Sequence, residues 1–253
     1  MSKTENYRIY AIGDIHGSLE QLRDMQDRIA TDLRTNPHPN PLVIYLGDYM
    51  DRGPECRAVL ENLIAVKSAT LPAKFLYGNH DNYVPLFLEN PESMHERKYH
   101  WLHPAMGGDK TLASYGIDGA VLENATAVSA AFAKALPSEH LGFVKTCELS
   151  ISIGGYHFVH AGVHPDRPLN DQAFDDAIWI REPFLSSKAD FGAVVVHGHT
   201  VVKNVENHGN RIAVDTGAVF GKYLSCLVLQ DDHQWLLTDG GRVDCPIGHG
   251  IDP

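Results

Sequence analysis

An α/β fold, with helices packed on the faces of a sheet, is what the first third of the chain predicts. Three observations carry this reading. Short apolar runs recur: YRIYAI at 7–12, LVIYL at 42–46 and KFLY at 74–77. Helix-length segments separate them. Each run ends in a polar, glycine-containing word. The resulting β-α-β-α-β order is that of a sheet covered by crossover helices.

The elements follow in order. YRIYAI reads as a strand leading into GDIHG at 13–17. Ser18 is placed to cap a helix through Leu33, with Leu22, Met25, Ile29 and Leu33 on one face. NPHPNP at 36–41 stops it. LVIYL is apolar throughout, as in a strand buried on both faces. GDYMDRG at 47–53 comes next, then a helix from about Glu55 to Lys67. KFLY is a third strand, ending in GNHD at 78–81. Residues 83–145 read as a helical insertion on the same domain, with turns at 90–91, 104–109 and 137–138. ELSISI and YHFVHAG flank a Gly154-Gly155 turn and form a hairpin signal. A helix covers 171–180, and strands follow in GAVVVHGHT, RIAVDTG, LSCLVL and QWLLT. The Gly- and Pro-rich end, about 240–253, reads as a loose tail of a single domain spanning 1–253.

Composition narrows the function. A net charge of -11 disfavours a nucleic-acid surface and suits a site that gathers cations. No apolar run approaches the roughly 18–20 residues of a membrane span. The N-terminus carries no signal-peptide pattern. Cys56, Cys147, Cys226 and Cys245 form no CxxC, so a reduced, cytoplasmic protein with buried thiols is expected.

The strand ends carry the chemistry. Asp14 and His16 follow the first strand, Asp48 and Asp51 the second, and Asn79, His80 and Asp81 the third. His160 ends FVHAG, and His197 and His199 lie in HGHT. Ligands of open α/β sheets bind beyond the carboxyl ends of the strands. An Asp-Gly or His-Gly pair alone is usually a turn. A set drawn from five strand ends, all of metal-ligand type, is not what turn chemistry produces. Oxygen and imidazole donors without thiolate suit manganese, iron(II) or zinc. There are too many donors for one catalytic ion with an open position. Two ions about 3.5–4 Å apart, sharing a carboxylate, would use them and could clamp both oxygens of an in-line displacement. That is phosphoester chemistry.

The words GDIHG, GDYMDRG, GNHD, HAG (160–162) and HGHT (197–200) together resemble the metallophosphoesterases of the phosphoprotein phosphatase family. The resemblance spans roughly residues 7–230. HWL…GG (100–108), IWIRE (178–182) and DTGAVF (215–220) are similar to the bacterial and phage branch, which includes the bacteriophage lambda protein phosphatase. The resemblance implies a four-layer αββα sandwich of calcineurin-like type with two mixed sheets. It also implies manganese-dependent hydrolysis of phosphomonoesters, often phosphoserine and phosphothreonine in proteins.

Site residues carry over by motif. The resemblance implies Asp14, His16 and Asp48 at a first metal, and Asp48, Asn79, His160 and His199 at a second. His80 would protonate the leaving oxygen, Asp51 would orient His80, and Arg52 and Arg181 would bind phosphate. His197 is expected as packing or support. The family more often has GNHE, so Asp81 departs from the pattern; Ser18 stands where the branch often has cysteine. The expected substrate is a phosphorylated protein or peptide, or a small phosphoester. A second expectation is symmetrical cleavage of diadenosine tetraphosphate, which would need a polyphosphate and adenine pocket in the insertion, where Arg97, Lys98 and Lys110 lie.

Overall fold

The computed structural model describes residues 3–92, 99–248 and 250–251. Its strands are β1 (Arg8–Ile12), β2 (Pro41–Tyr45), β3 (Ala73–Phe75), β4 (Ser150–Ile153), β5 (Tyr156–Val159), β6 (Val194–His197), β7 (Val205–Asn207), β8 (Arg211–Ala213), β9 (Cys226–Gln230), β10 (His233–Thr238), β11 (Gly241–Asp244) and β12 (Gly250–Ile251). Its α-helices are α1 (Leu19–Thr35), α2 (Cys56–Lys67), α3 (Asn79–Glu89), α4 (Gly108–Ser114), α5 (Ala125–Ala135), α6 (Ser138–Lys145) and α7 (Phe174–Trp179).

Two six-stranded mixed sheets face each other. One runs β11-β10-β9-β1-β2-β3, the other β12-β7-β8-β6-β5-β4. In the first, β1, β2 and β3 are parallel and β9 returns antiparallel to β1. In the second, β5, β6 and β8 are parallel. Side chains alternate across a strand, and β1 shows the result. Ile9 and Ala11 join Leu42 and Ile44 in the core between the sheets, against Phe158, Val196 and Ile212. Tyr10 and Ile12 point the other way, into a core with Leu22, Met25 and Ile29 of α1 and Val59 and Leu63 of α2. A strand covered on both faces has no reason to alternate polar and apolar residues, which explains its uninterrupted apolar reading. Outside the second sheet, Val159 and Val195 pack with Ala177, Ile180 and Phe184 around α7. This is the expected sandwich.

The departures are local. Ser18 stands at the N-cap of α1 but its side chain makes no capping hydrogen bond, and the helix runs on to Thr35. GNHD is not a loop. Asn79, His80 and Asp81 form the first turn of α3, so the helical insertion begins before residue 83. The segment around β7 had too little apolar patterning to read as a strand. Within the described residues, part of the tail is paired: β11 pairs with β10 over Gly241–Asp244, and Gly250 and Ile251 pair with β7. Arg97 and Lys98 lie outside the described residues.

Candidate active site

The parallel strands β1, β2, β3, β5 and β6 deliver their carboxyl ends to one place, and there the backbone is unusual. Among the described residues, His16, Asp48, Asp51, Arg52 and His199 all have positive φ, between 47° and 68°. Non-glycine residues avoid this region because Cβ crowds the backbone, at roughly 1–3 kcal/mol each. Such outliers persist where the surroundings over-determine them and cluster at functional sites.

Gly78 answers a different constraint. Its φ of -93° is open to any residue. A Cβ there, however, would overlap the backbone nitrogen and Oδ1 of Asp48. The glycine serves close approach rather than a special backbone angle. It brings the β2 end against the start of α3, where Asp48 Oδ1 accepts the His80 backbone N–H at 2.9 Å.

Asp81, unexplained by its motif, holds this junction together. Its buried carboxylate accepts the backbone N–H groups of Asp48 (2.8 Å), Tyr49 (3.0 Å) and Gly78 (3.0 Å). Burial pushes its carboxyl up to about 7, with the Asp48 charge adding to this and the backbone donors opposing it.

Two groups of ligand-type atoms result, each within 4.8 Å: His16, Asp48 and His80 in one, and Asp48, His160 and His199 in the other. Asp48 belongs to both. Asn79 joins the second, with Oδ1 at 3.0 Å from His160 Nε2 and 2.8 Å from His199 Nδ1. Asp14 lies at the same place: its carboxylate accepts the His199 backbone N–H at 3.0 Å. Its charge and that of Asp48 act on His160, holding that imidazole up at about 10 against the lowering effect of burial. The first group therefore contains His80, which the motif gave to acid catalysis, rather than Asp14.

The donor set fits two hard or borderline divalent cations. Asp14, Asp48 and Asp215 are all buried. Burial, then the Asp215 charge, drives the Asp14 carboxyl well above its ordinary value. The His199 Nε2 is buried without a hydrogen-bond partner. The imidazoles are fixed from behind, as metal ligands usually are. His16 Nδ1 meets the Met50 carbonyl at 2.7 Å and His160 Nδ1 the Leu46 carbonyl at 2.8 Å. Cys56 supplies no thiolate, since burial raises its thiol to about 12.

His80 and Asp51 pair at 2.8 Å through Nδ1 and Oδ2. Asp51 is also gripped by Trp101 Nε1, at 3.0 and 2.9 Å to its two oxygens, and by the Thr111 hydroxyl at 2.6 Å. Three converging donors are the surroundings of an acceptor carboxylate. Burial works against charge on both partners, raising Asp51 to about 7 and lowering His80 to about 3. Trp101 and Thr111 lie in the helical insertion, and no word in the sequence marks them as partners of Asp51.

Arg52 is half-buried, and its Nη1 lies 2.7 Å from His16 Nε2. Arg181 is exposed and follows α7. Its pKa is lowered by burial of part of the side chain and then by the Arg52 charge. Arg52 thus touches the ligand cluster, and Arg181 lies near enough to feel its charge. His197 is apart from the ligands. It is buried, packs edge-on against Phe184 at 4.9 Å, and its Nδ1 lies 3.1 Å from the Gly198 carbonyl. A continuous strand would turn His197 and His199 to the same face. Here β6 ends at His197, and the left-handed backbone of His199 separates them. Among the described residues no helix is long and apolar enough to cross a membrane.

The family model for calcineurin-like phosphoesterases matches residues 7–222. The chain is 25% identical over 244 residues to the bis(5'-nucleosyl)-tetraphosphatase PrpE (asymmetrical) of Bacillus cereus strain ATCC 10987, covering 85% of this chain and 88% of that one. The protein of the same name from Bacillus anthracis strain CDC 684 is 24% identical over the same span. Among solved structures, a putative diadenosine tetraphosphatase superposes with a TM-score of 0.62 at 19% identity, covering 98% of this chain and 97% of that one. The cold-active protein-tyrosine phosphatase of a psychrophilic Shewanella superposes at 0.65 and 17% identity, covering 95% and 82%. These structural likenesses concern the fold.

Proposed function

The chain belongs to the calcineurin-like phosphoesterases and is a metal-dependent phosphoesterase; from that premise we propose that it hydrolyses bis(5'-nucleosyl) tetraphosphates, splitting them asymmetrically into a nucleoside triphosphate and a nucleoside monophosphate. One observation carries the substrate. Arg52, which touches the ligand cluster through His16, also lines a cavity of about 630 Å³. That space is far larger than a phosphoryl group needs. The names of the Bacillus relatives support this second of the two sequence expectations over the protein phosphatase, with asymmetrical in place of symmetrical cleavage.

The division of labour follows the motif. Asp14, His16 and Asp48 would hold one divalent ion, and Asp48, Asn79, His160 and His199 the other. Oxygen and imidazole donors favour manganese, with iron or zinc the other candidates. Two such ions, when bound, supply an acidified water and neutralise charge on the phosphoryl oxygens. The chain does the rest. Acid catalysis needs His80 protonated on both ring nitrogens, so that Nε2 gives a proton to the leaving oxygen while Asp51 accepts from Nδ1. Arg52 and Arg181 meet the phosphoryl oxygens through planar forks that lysine does not reproduce. The cytoplasm is the fitting compartment for a protein with four free thiols.

The two arginines also support the serine/threonine phosphatase reading, since they could surround a terminal phosphomonoester. One assay separates the two. With manganese, diadenosine tetraphosphate and a phosphothreonine peptide are offered side by side and the nucleotides resolved by chromatography. ATP and AMP in equal amounts, with the dinucleotide turned over at least tenfold faster than the peptide, is the expected outcome. ADP alone would mean symmetrical cleavage, and preference for the peptide would overturn the assignment.

A further inference from the structure

We infer that the cavity beside Arg52 is a nucleoside compartment, in which Phe220 stacks a nucleobase and Lys110 meets the polyphosphate beyond the cleaved phosphorus. The inference rests on the function proposed above and extends it to residues outside the metal site. Phe220 belongs to a one-turn helix, Ala218–Phe220, set between Gly217 and Gly221, both at φ 79°. Phe220 is 60% exposed, so its side chain is accessible from the cavity it lines. It lies 5.6 Å from the Arg52 guanidinium carbon. One ring is therefore fixed against the phosphate-binding end of the cavity and open on the other side.

The rest of the lining is partly apolar. Leu102, Pro104 and Val121 line the same cavity. They are shared with an adjoining cavity of about 320 Å³, which adds Tyr99 and His103, their rings 4.3 Å apart. The lining thus combines an aromatic ring with aliphatic side chains, and aromatic rings hold nucleobases by stacking without sequence readout. Lys110 lines the cavity too, and its exposed ammonium is only loosely paired, at 3.4 Å from Asp109. A cation there faces a chain of phosphates extending away from Arg52. Phosphate at one end, a second cation along the wall and a ring to stack on describe a nucleoside polyphosphate.

The test compares substrates that differ in one part at a time. Diadenosine tetraphosphate, inorganic tripolyphosphate and p-nitrophenyl phosphate are assayed with wild type, Phe220→Ala, Phe220→Trp and Lys110→Ala. Loss of a stacking ring should lower kcat/KM for the dinucleotide by about tenfold relative to tripolyphosphate, through KM, with Phe220→Trp restoring it. Lys110→Ala should lower the dinucleotide and tripolyphosphate together, relative to the aryl phosphate. If Phe220→Ala lowers all three substrates by one factor, the ring serves only to hold Arg52 and the inference is wrong. If wild type does not cleave the dinucleotide, the proposed function fails and the compartment is read separately, by inhibition of aryl phosphate hydrolysis. ATP inhibiting no better than tripolyphosphate overturns the inference; an ATP advantage that vanishes in Phe220→Ala supports it.

Discussion

Asp32 and Asp48 are both buried carboxylates packed close to β1 and β2, yet the protein treats them in opposite ways. Asp32 is closed off by partners. Arg242 donates to both of its oxygens, at 2.8 and 2.6 Å, Tyr10 donates its hydroxyl, and Asn36 its amide at 3.1 Å. Burial alone would push this carboxyl up; Arg242 and Tyr10 outweigh it and leave the pKa lowered. At the other end of β1, Asp14, Asp48 and Asp215 crowd together, and the charges among them are balanced by imidazoles rather than by a bidentate arginine. A finished ion pair is structural. A carboxylate cluster backed by oriented imidazoles is completed by something from solution, and two cations are what its donors fit.

The comparison breaks most visibly at Asp48. Asp48→Asn removes the one charge common to both ligand groups. Isothermal titration with manganese should show both ions weakened, and turnover should fall to that of chelated protein. Retention of one ion at wild-type affinity would mean that Asp48 does not bridge. Next is His80. Its replacement by asparagine should leave metal content intact and lower turnover roughly 10²–10⁴-fold on a substrate with a poor leaving group. The loss should shrink for an aryl phosphate, whose leaving oxygen needs no proton. Equal losses on both would instead make His80 a ligand, in keeping with its place beside His16 and Asp48.

Asp32→Asn probes the finished pair. It strands the Arg242 guanidinium and should cost about 1–3 kcal/mol of stability, read as a lower urea midpoint. Manganese affinity should not move; if it does, the two regions are not independent. The last effect concerns acid. His157, on β5 with Nδ1 2.8 Å from the Ser152 hydroxyl, is held down at about 4 by burial. Unfolded, it would titrate near the ordinary imidazole value of 6.5. Between those values the unfolded chain binds a proton the fold refuses, so stability falls as pH drops through that window. His157→Gln should flatten this limb by at most about 3 kcal/mol. If His157→Gln keeps the wild-type fall in urea midpoint between pH 6.5 and 4, the acid sensitivity lies elsewhere.

How much of this was legible in the sequence depends on whether a residue acts locally. The ligand words sit at strand ends, and their spacing within GDIHG, GDYMDRG and GNHD is itself the signal. The apolar runs of β1 and β2 gave the layers because both faces are buried. Asp81 was opaque because its partners, the Asp48 and Tyr49 amides, are 33 and 32 residues away and carry no side-chain mark. Trp101 and Thr111 reach Asp51 across 50 and 60 residues for the same reason. The β11 and β12 pairings were hidden by glycine and proline, which read as disorder until another strand offers an edge. Asp215 stood in the quoted DTGAVF, but only the fold shows that it lies close enough to Asp14 to raise its pKa.

The hydrogen bond from the His199 backbone to Asp14 joins positions 185 residues apart and, with them, the two sheets. Ions held by ligands from both sheets therefore act as a clasp at one end of the sandwich. They bind only the assembled form, so free metal adds to stability by mass action. Taking the metal away should loosen that end first: in a chelator, the loops carrying HGHT and GDIHG become the places where a protease enters, while the Asp32–Arg242 end stays shut.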